Sequence, residues 1–280
     1  MTALRVDAHQ HFWRYEPVRD AWITPDMAAI RRDFLPSDLA PVLAANGIDG
    51  CVAVQADQSE DETRFLLALA HAHDFVRGVV GWVDLRATDL DQSLARFAAD
   101  PLFRGVRHIA QSEPDDALVH DDLRRSIARL EQFGLTFDIL IYERQLPAAI
   151  ALVDHLPHQR FVLDHLGKPR IRDGALEPWA AHFRDLARRP NVWCKLSGMI
   201  TEADWSRWSA ADLRPYLDMA LEAFGPQRLI FGSDWPVCLV AGEYSRVKDV
   251  VDDYVAELSA DERCALFGGN ATRFYTLSGE

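Results

Sequence analysis

The amino-acid sequence places two histidines, His9 and His11, two residues apart directly after a short apolar run. Residues i and i+2 of a β-strand point to the same face, so both imidazoles would face one side, with Asp7 one pair deeper. Such a pair can hold a metal ion or bind a carbonyl oxygen. A bare His-x-His pair is weak evidence, so its interpretation depends on which other polar residues lie beside it.

Polar side chains recur at the ends of the later apolar runs of the chain. They are Gln55, Trp82, Asp84, Arg107, His108, His165, Lys195, Ser197 and Asp234. In barrels of parallel strands, catalytic groups lie at the carboxyl ends of the strands, and a purely structural barrel has no reason to collect charge there. The set expected to act together is His9, His11, His165 and Asp234.

Several of these residues also have a structural interpretation. His108 suits a hydrogen-bonded structural histidine as well as a substrate contact, and Arg107 suits an ion pair with a carboxylate at the rim. Lys195 suits an ion-pair partner inside the barrel. Asp164 differs in strand parity from His165, so we expect it to point away from the barrel axis.

The elements that must position these groups alternate regularly along the chain. After the first strand, short β-branched or aromatic runs occupy residues 48–55, 76–84, 103–109, 135–141, 160–167, 191–199 and 228–236. Each is followed by a helical pattern, and Ser59 to Glu62 reads as a capping box at the start of one helix. Eight strand–helix units predict a (β/α)8 barrel forming a single domain over residues 1–280.

A doubly wound open sheet is the competing architecture. It would place a glycine-rich phosphate loop after the first strand. The sequence has His-Gln-His-Phe-Trp at that place, followed by a long loop rich in aromatic residues. The barrel is therefore the expected fold, and no low-complexity stretch or linker divides the chain.

The composition limits the classes of partner. Of 280 residues, 49% are apolar and the net charge is −13, which argues against binding to nucleic acid or to an anionic membrane surface. A small neutral substrate is compatible with this charge. The sequence shows no signal-peptide pattern and no run of membrane-spanning length, so we expect a cytoplasmic protein. Its oligomeric state is not predicted.

The cysteines do not form a recognisable pattern. The four of them are scattered and contain no Cys-x-x-Cys pair: Cys51, Cys194, Cys238 and Cys264. This distribution favours reduced, mostly buried thiols over a disulfide framework or a cysteine zinc site.

Longer blocks of sequence resemble a known family. HQHFW, VVGWVDL, GVRH, VLDHLGKP, NVWCKLSGM, FGSDWPVC and GNATRFY together resemble the amidohydrolase superfamily, in particular its sugar-acid lactonases of the L-fuconolactonase and L-rhamnono-lactonase type. The resemblance covers nearly the whole chain. It implies a (β/α)8 barrel that hydrolyses an aldonolactone, with a centre formed by His9, His11, His165 and Asp234.

The sequence also departs from the pattern of many superfamily members. Strand four offers Arg107 and His108 instead of a lysine that bridges two metals, and strand five has no histidine. We therefore expect one divalent ion, zinc by its nitrogen and oxygen ligands, held by the four residues of the centre. A metal-free site built from the same residues remains an alternative, because a lactone is more reactive than an amide.

Lactone hydrolysis assigns a task to each group. Asp234 is the candidate general base for the attacking water, and the histidines, directly or through a metal, would stabilise the oxyanion together with Arg107 or His108. His165 belongs to the same catalytic set. The residues expected to bind the sugar ring and its hydroxyl groups are Trp13, Gln55, Trp82 and Trp235.

Two other functions are compatible with the fold. Related barrels decarboxylate aromatic acids or open carboxylated pyrones, but these substrates require several arginines in the pocket. The sequence places Arg107 there, with Arg14 and Arg19 as further candidates. A non-catalytic sugar-binding protein would have no need of a carboxylate opposite three histidines. A neutral sugar lactone is the expected substrate.

Overall fold

Eight parallel strands follow one another in chain order around a barrel in the computed structural model, which describes residues 4–277. The strands are β1 (Val6–Gln10), β2 (Gly50–Val54), β3 (Val76–Gly81), β4 (Phe103–Ile109), β5 (Thr136–Leu140), β6 (Phe161–Leu163), β7 (Val192–Leu196) and β8 (Leu229–Phe231). Neighbouring strands pair in parallel. The predicted strand at each of the eight positions is confirmed.

Helices separate the strands and form the outer layer. They are α1 (Pro36–Ala45), α2 (Glu60–Ala72), α3 (Leu90–Ala98), α4 (Asp121–Ile127), α5 (Leu146–His155), α6 (Trp179–Ala187), α7 (Ala210–Phe224), α8 (Tyr244–Tyr254), α9 (Ala260–Cys264) and α10 (Asn270–Tyr275). The alternation confirms the (β/α)8 barrel. β6 and β8 are shorter than predicted because the chain turns out of each strand at the residues that follow.

The barrel is closed between its first and last strands by a few backbone contacts. Gln10 and Trp235 form an isolated parallel bridge beyond the end of β8. The N–H of Asp234 donates to the carbonyl of His9 at 2.8 Å, and the N–H of His11 donates to the carbonyl of Trp235 at 2.7 Å. The seam of the barrel therefore runs directly through the residues of the predicted site.

The barrel interior contains an apolar layer below that site. Val52, Val54, Val80, Val162 and Ile230 pack there with Val6 and Ala8, and α10 covers this layer with Phe274 and Tyr275. A second, larger apolar cluster fills the space between strands and helices. Burial on both faces explains why the strands read as near-continuous apolar runs.

Two further expectations concern a helix start and the cysteines. Ser59 Oγ accepts the N–H of Glu62 at 3.2 Å, as the capping box predicts, but the Glu62 carboxylate accepts the N–H groups of Ala56 and Asp57 instead. The four cysteines are free, and Cys264 is exposed whereas the other three are buried. In the described part of the chain, no helix has the length and apolar character needed to cross a membrane.

Candidate active site

A β-bulge in β1 decides which of its side chains enter the barrel. Asp7 pairs with Cys51, but the next paired residue is Gln10 with Ala53, so β1 carries one extra residue between them. Ala8 belongs to the interior layer, and His9 follows it into the barrel. The expectation that Asp7 shares the face of His9 is wrong, because the extra residue reverses the alternation.

Asp7 instead joins the two strands of the seam. Its Oδ1 accepts the N–H of Ser233 at 2.9 Å and the N–H of His9 at 3.2 Å, and its Oδ2 accepts the Ser233 hydroxyl at 2.6 Å. Ser233 Oγ in turn accepts the N–H of Trp235 at 3.0 Å. The backbone on both sides of Asp234 is therefore fixed to β1. Burial raises the pKa of Asp7 to about 6.

Asp234 and His165 both occupy the left-handed region of backbone space. Asp234 has φ +58°, and His165 begins a turn in which Leu166, Gly167 and Lys168 also have positive φ. Such residues cost about 1–3 kcal/mol each and persist where the surroundings fix them. This turn follows β6 directly, so side chains after Leu163 no longer alternate between the two faces of the sheet. Both His165 and the preceding Asp164 therefore point towards the barrel interior.

The structure brings the four residues of the predicted centre together around one carboxylate oxygen. Asp234 Oδ1 lies 3.3 Å from His11 Nε2, 3.8 Å from His9 Nε2 and 4.0 Å from His165 Nε2. All four side chains are at least 95% buried. The ligand atoms of His9, His11 and Asp234 lie within 4.8 Å of one another, whereas His165 falls into a second group with His9 and Asp164.

The hydrogen bonds of His11 show that a cation fits this position. Its Nδ1 faces the carbonyl of Val54 at 2.7 Å, so Nδ1 carries the proton and Nε2 holds a lone pair. That lone pair faces a carboxylate oxygen at 3.3 Å, an arrangement that a positive ion between them would stabilise. Two imidazoles and one carboxylate are the ligand number of an open, catalytic metal site. His9, His11 and Asp234 can therefore hold a divalent ion.

Burial and neighbouring charges set the protonation states of the site. Burial lowers the pKa of His165 to about 4, and burial together with Lys195 lowers the pKa of His9 well below its usual value. Burial opposes ionisation of Asp234, but His165 and His11 outweigh it and hold its pKa well below the usual range. At neutral pH the centre is an ionised carboxylate among neutral imidazoles.

An ionic cluster lies beneath this centre. Lys195 Nζ contacts Asp138 Oδ2 at 2.5 Å and Asp164 Oδ1 at 3.0 Å, and Arg107 Nη1 contacts Asp164 Oδ2 at 3.1 Å. The expectation that Asp164 points away from the axis is wrong, because β6 ends before it and strand parity no longer applies. The prediction that Lys195 is an interior ion-pair partner is confirmed. Sequence reasoning missed Asp138, whose signal is a lone carboxylate inside the apolar strand LTFDILI.

Arg107 and His108 lie on opposite faces of β4. Arg107 enters the barrel, where Nη1 lies 3.1 Å from His9 Nε2 and the guanidinium also binds the side chain and carbonyl of Gln55. Gln55 is fully buried, and its side chain and carbonyl contact this arginine; its binding of a substrate hydroxyl stays a prediction. His108 Nε2 is 2.8 Å from the carboxylate of Glu113, so its described contacts are with the loop after β4.

The three tryptophans predicted to bind substrate have different surroundings. Trp235 is 3% exposed and packs edge-on against Phe34, which places it in the core. Trp13 is 2% exposed, and its ring centroid lies 6.4 Å from that of His11. It also lines a cavity of about 460 Å³ beside the start of α2. Trp82 is half-buried, and its indole N–H has no hydrogen-bond partner within residues 4–277.

Comparison of the chain with known protein families identifies the class to which this fold and site belong. The amidohydrolase family model matches residues 6–277, so this chain belongs to the amidohydrolase family. The resemblance noted in the sequence is thereby confirmed.

Characterised relatives and a solved structure make the similarity more specific. The chain is 47% identical to an L-fucono-1,5-lactonase of Burkholderia multivorans, over 99% of this chain and 97% of that protein. It is 40% identical to an L-fucono-1,5-lactonase of Burkholderia ambifaria, over 98% and 96%. A crystal structure of a Burkholderia multivorans amidohydrolase with bound Zn superposes with a TM-score of 0.96 at 44% identity, covering 99% of this chain and all of that one.

Proposed function

We propose that this protein is a lactonase that opens a neutral sugar-acid lactone, such as an L-fucono-1,5-lactone, to the free aldonate. The observation that carries the proposal is the convergence of His9, His11 and Asp234 at the barrel seam, beside His165. The two relatives named as L-fucono-1,5-lactonases, which align over nearly their whole length, supply the substrate class.

We propose zinc as the divalent ion, held by His9, His11 and Asp234. The donor set of two imidazole nitrogens and a carboxylate oxygen suits zinc, and the similar Burkholderia multivorans amidohydrolase was crystallised with it. A bound divalent ion lowers the pKa of a coordinated water to about 7 and polarises a carbonyl oxygen. His165 stays outside this ligand group and is free to contact the substrate.

In the proposed reaction the chain's own residues move a proton and stabilise charge. The water oxygen bonds to the lactone carbonyl carbon while its proton passes to Asp234, whose carboxylate is ionised at neutral pH. The carbonyl oxygen becomes an oxyanion, which His165 and the guanidinium of Arg107 stabilise. The ring C–O bond then breaks, and the proton on Asp234 passes to the departing ring oxygen. The product is the open hydroxy acid.

The surroundings of the site favour a substrate without carboxylates. Arg107, the arginine that enters the barrel, is already bound by Asp164 and Gln55. Arg14 and Arg19 line the cavity beside Trp13, but so do Asp57, Asp61 and Glu62, which offset their charge, and Arg19 pairs with Asp20. The buried indole N–H of Trp82 has no hydrogen-bond partner in residues 4–277, and the ring of Trp13 lies 6.4 Å from that of His11, so we keep both as proposed substrate contacts.

A panel of lactones tests this proposal. Neutral aldono-1,5-lactones and aldono-1,4-lactones are compared with carboxylated pyrones by a pH-indicator assay, each corrected for its spontaneous hydrolysis. Every substrate is measured with untreated enzyme, after chelation, and after zinc is restored. We expect rapid opening of neutral lactones, a loss on chelation, and recovery with zinc.

Two results would contradict the proposal in different ways. Hydrolysis of the pyrones without hydrolysis of the neutral lactones would reject the substrate class. Full activity in metal-depleted enzyme, with metal content measured on the same sample, would reject the role of zinc and favour the metal-free site.

A further inference from the structure

The last described helix sends one polar group into the barrel interior. The hydroxyl of Tyr275, a residue 1% exposed, donates to Asp138 Oδ2 at 2.7 Å. The same oxygen accepts Lys195 Nζ at 2.5 Å, while Asp138 Oδ1 has no hydrogen-bond partner in the described part of the chain. Within residues 4–277, Tyr275 and Lys195 are therefore the two groups that fix this carboxylate.

Lys195 connects Asp138 to the candidate centre. Its Nζ lies 3.1 Å from His9 Nδ1, 3.0 Å from Asp164 Oδ1 and 5.5 Å from the centroid of the Tyr275 ring. An ammonium group has three hydrogens to donate and cannot accept. If one of them pointed at His9 Nδ1, that nitrogen would have to be the unprotonated one.

The other nitrogen of His9 is approached by a second donor. Arg107 Nη1 lies 3.1 Å from His9 Nε2, and a guanidinium does not give up its proton. A neutral imidazole accepts at one nitrogen, so Arg107 and Lys195 cannot both donate to His9. With Nε2 as the acceptor, the Nδ1 proton is available to Asp164 Oδ1, which lies 3.4 Å away and has no hydrogen-bond partner in the described part of the chain. Lys195 must then turn its hydrogens towards the two carboxylates.

We infer that the Tyr275 hydroxyl is a positioning group for His9, acting through Asp138 and Lys195. By fixing Asp138, it keeps Lys195 directed away from His9 Nδ1, so that the lone pair of His9 stays on Nε2. That is the nitrogen which faces Asp234 and which a metal would need. The inference rests on the proposed role of His9 in the hydrolytic centre, and it extends that centre to α10 on the opposite side of the barrel.

Tyr275→Phe tests the inference because it removes the hydroxyl and keeps the ring. Tyr216→Phe is the matched control: Tyr216 is also 1% exposed, and its hydroxyl donates to the carbonyl of Ala175 at 3.2 Å, away from the ionic cluster. The first measurement is the imidazole ¹⁵N spectrum of histidine-labelled protein, with the His9 signals identified by a His9→Gln variant.

We expect wild type and Tyr216→Phe to show His9 protonated on Nδ1, and Tyr275→Phe to shift towards protonation on Nε2. Metal-free protein is then titrated with zinc against a chromophoric chelator. Loss of a group that orients a metal-binding histidine typically costs about 10- to 100-fold in affinity, so we expect about tenfold weaker binding for Tyr275→Phe. Turnover should fall with KM little changed.

A double variant shows whether the hydroxyl acts through Asp138. Asp138→Asn should weaken zinc binding by itself, and adding Tyr275→Phe should then cost nothing more, because residues of one network are non-additive. Additive losses would overturn the proposed route. Unchanged His9 signals in Tyr275→Phe would overturn the inference itself. Wild-type protein that opens no lactone would reject the proposed function, yet the His9 spectra would still decide the role of Tyr275.

Discussion

At the scale of single residues, Asp234 is the group on which the site converges. Three imidazole nitrogens surround its Oδ1, and its own backbone has φ +58°. The N–H of Ser233 donates to Asp7 and the carbonyl of Trp235 accepts the N–H of His11, so both neighbours of Asp234 are tied to β1. Burial alone would raise the pKa of this acid, but the charge that the neighbouring histidines carry when protonated outweighs burial and holds the pKa of Asp234 well below its usual range, so the carboxylate is ionised at neutral pH. A charged oxygen is thus fixed where a base or a metal ligand is needed.

Asp234→Asn should fold normally and lose most lactone hydrolysis, by about 10²–10³-fold or more in kcat. An amide of the same shape can neither take a proton from water nor act as a strong ligand. Initial rates and the melting temperature of both proteins check this, with the exposed Asp253→Asn as control. Near wild-type turnover would remove Asp234 from the proposed mechanism.

At the scale of secondary structure, irregular ends of strands aim the functional groups. The bulge in β1 turns His9 inward, and the left-handed turn after β6 turns His165 inward. The end of β7 makes room for that turn: Gly198 has φ +62°, and a Cβ there would lie 2.5 Å from His165 Nδ1. The glycine at this position is required by both the backbone and its neighbour.

Gly198→Ala should therefore be more damaging than the same change at another left-handed glycine. Gly134 has φ +69° with nothing within 4 Å of a new Cβ, so Gly134→Ala reports the backbone cost of about 1 kcal/mol. We expect Gly198→Ala to lower the free energy of unfolding by roughly a further 1–3 kcal/mol, because the new methyl group overpacks against His165. Lactone hydrolysis should fall as well. Urea unfolding and lactone rates measure both. Equal losses in the two variants would contradict this.

The loops after β3 and β4 are joined by a carboxylate whose effect depends on pH. Glu113 binds Arg86 at 2.9 and 3.0 Å and His108 at 2.8 Å. Burial opposes its ionisation, but the hydrogen bonds from Arg86 and His108 outweigh it and lower the pKa of Glu113 below 4.5. The ionised carboxylate therefore stabilises the fold at pH values above the pKa that Glu113 has in the unfolded chain. This stabilisation is lost as pH falls through the lower pKa of Glu113 in the folded protein.

Glu113→Gln should accordingly be about 1 kcal/mol less stable than wild type at pH 7, a modest amount because the pair is partly exposed. The difference should shrink as pH falls below about 4.5, where the glutamate of the unfolded chain takes up a proton, and should disappear below the lowered pKa of Glu113 in the folded protein. Chemical unfolding at several pH values tests this, with the exposed Glu131→Gln as control. A stability difference between the two proteins that stays the same at low pH would show that the charge of Glu113 does not stabilise the fold.

At the scale of the whole molecule, the candidate site is also the seam of the barrel. His9 and His11 belong to the first strand, and Asp234 follows the last one, so residues more than 200 positions apart are held side by side. Few backbone hydrogen bonds close this seam. A cation bound by both sides would link the two ends of the sheet and stabilise the folded barrel.

Zinc should consequently raise the melting temperature of the metal-free protein. At free zinc 100-fold above the dissociation constant, binding to the folded state alone contributes about 2.7 kcal/mol, which corresponds to several degrees. His11→Ala should abolish most of this increase, because it removes one ligand on the β1 side. A thermal shift of equal size in that variant would place the stabilising ion elsewhere.

The sequence by itself determined the architecture and predicted the four residues that the structure brings together around Asp234. Alternating buried strands and helices leave a parallel barrel as their consistent arrangement, and polar residues at strand ends then have to meet at one rim. The position of Lys195 at the end of an apolar run also suited an interior ion pair, which the structure confirms. These features follow from local patterns of burial and polarity that can be read from the sequence.

The tertiary structure decided which way particular side chains point and what they bind. The extra residue in β1 turned Asp7 to the seam, and the turn after β6 brought Asp164 to Arg107 and Lys195. Gln55 and Trp235 are buried against Arg107 and Phe34, contacts that come from distant segments of the chain. Strand parity is a local rule, and it fails where a bulge or a left-handed turn is stabilised by contacts that form only when the barrel closes.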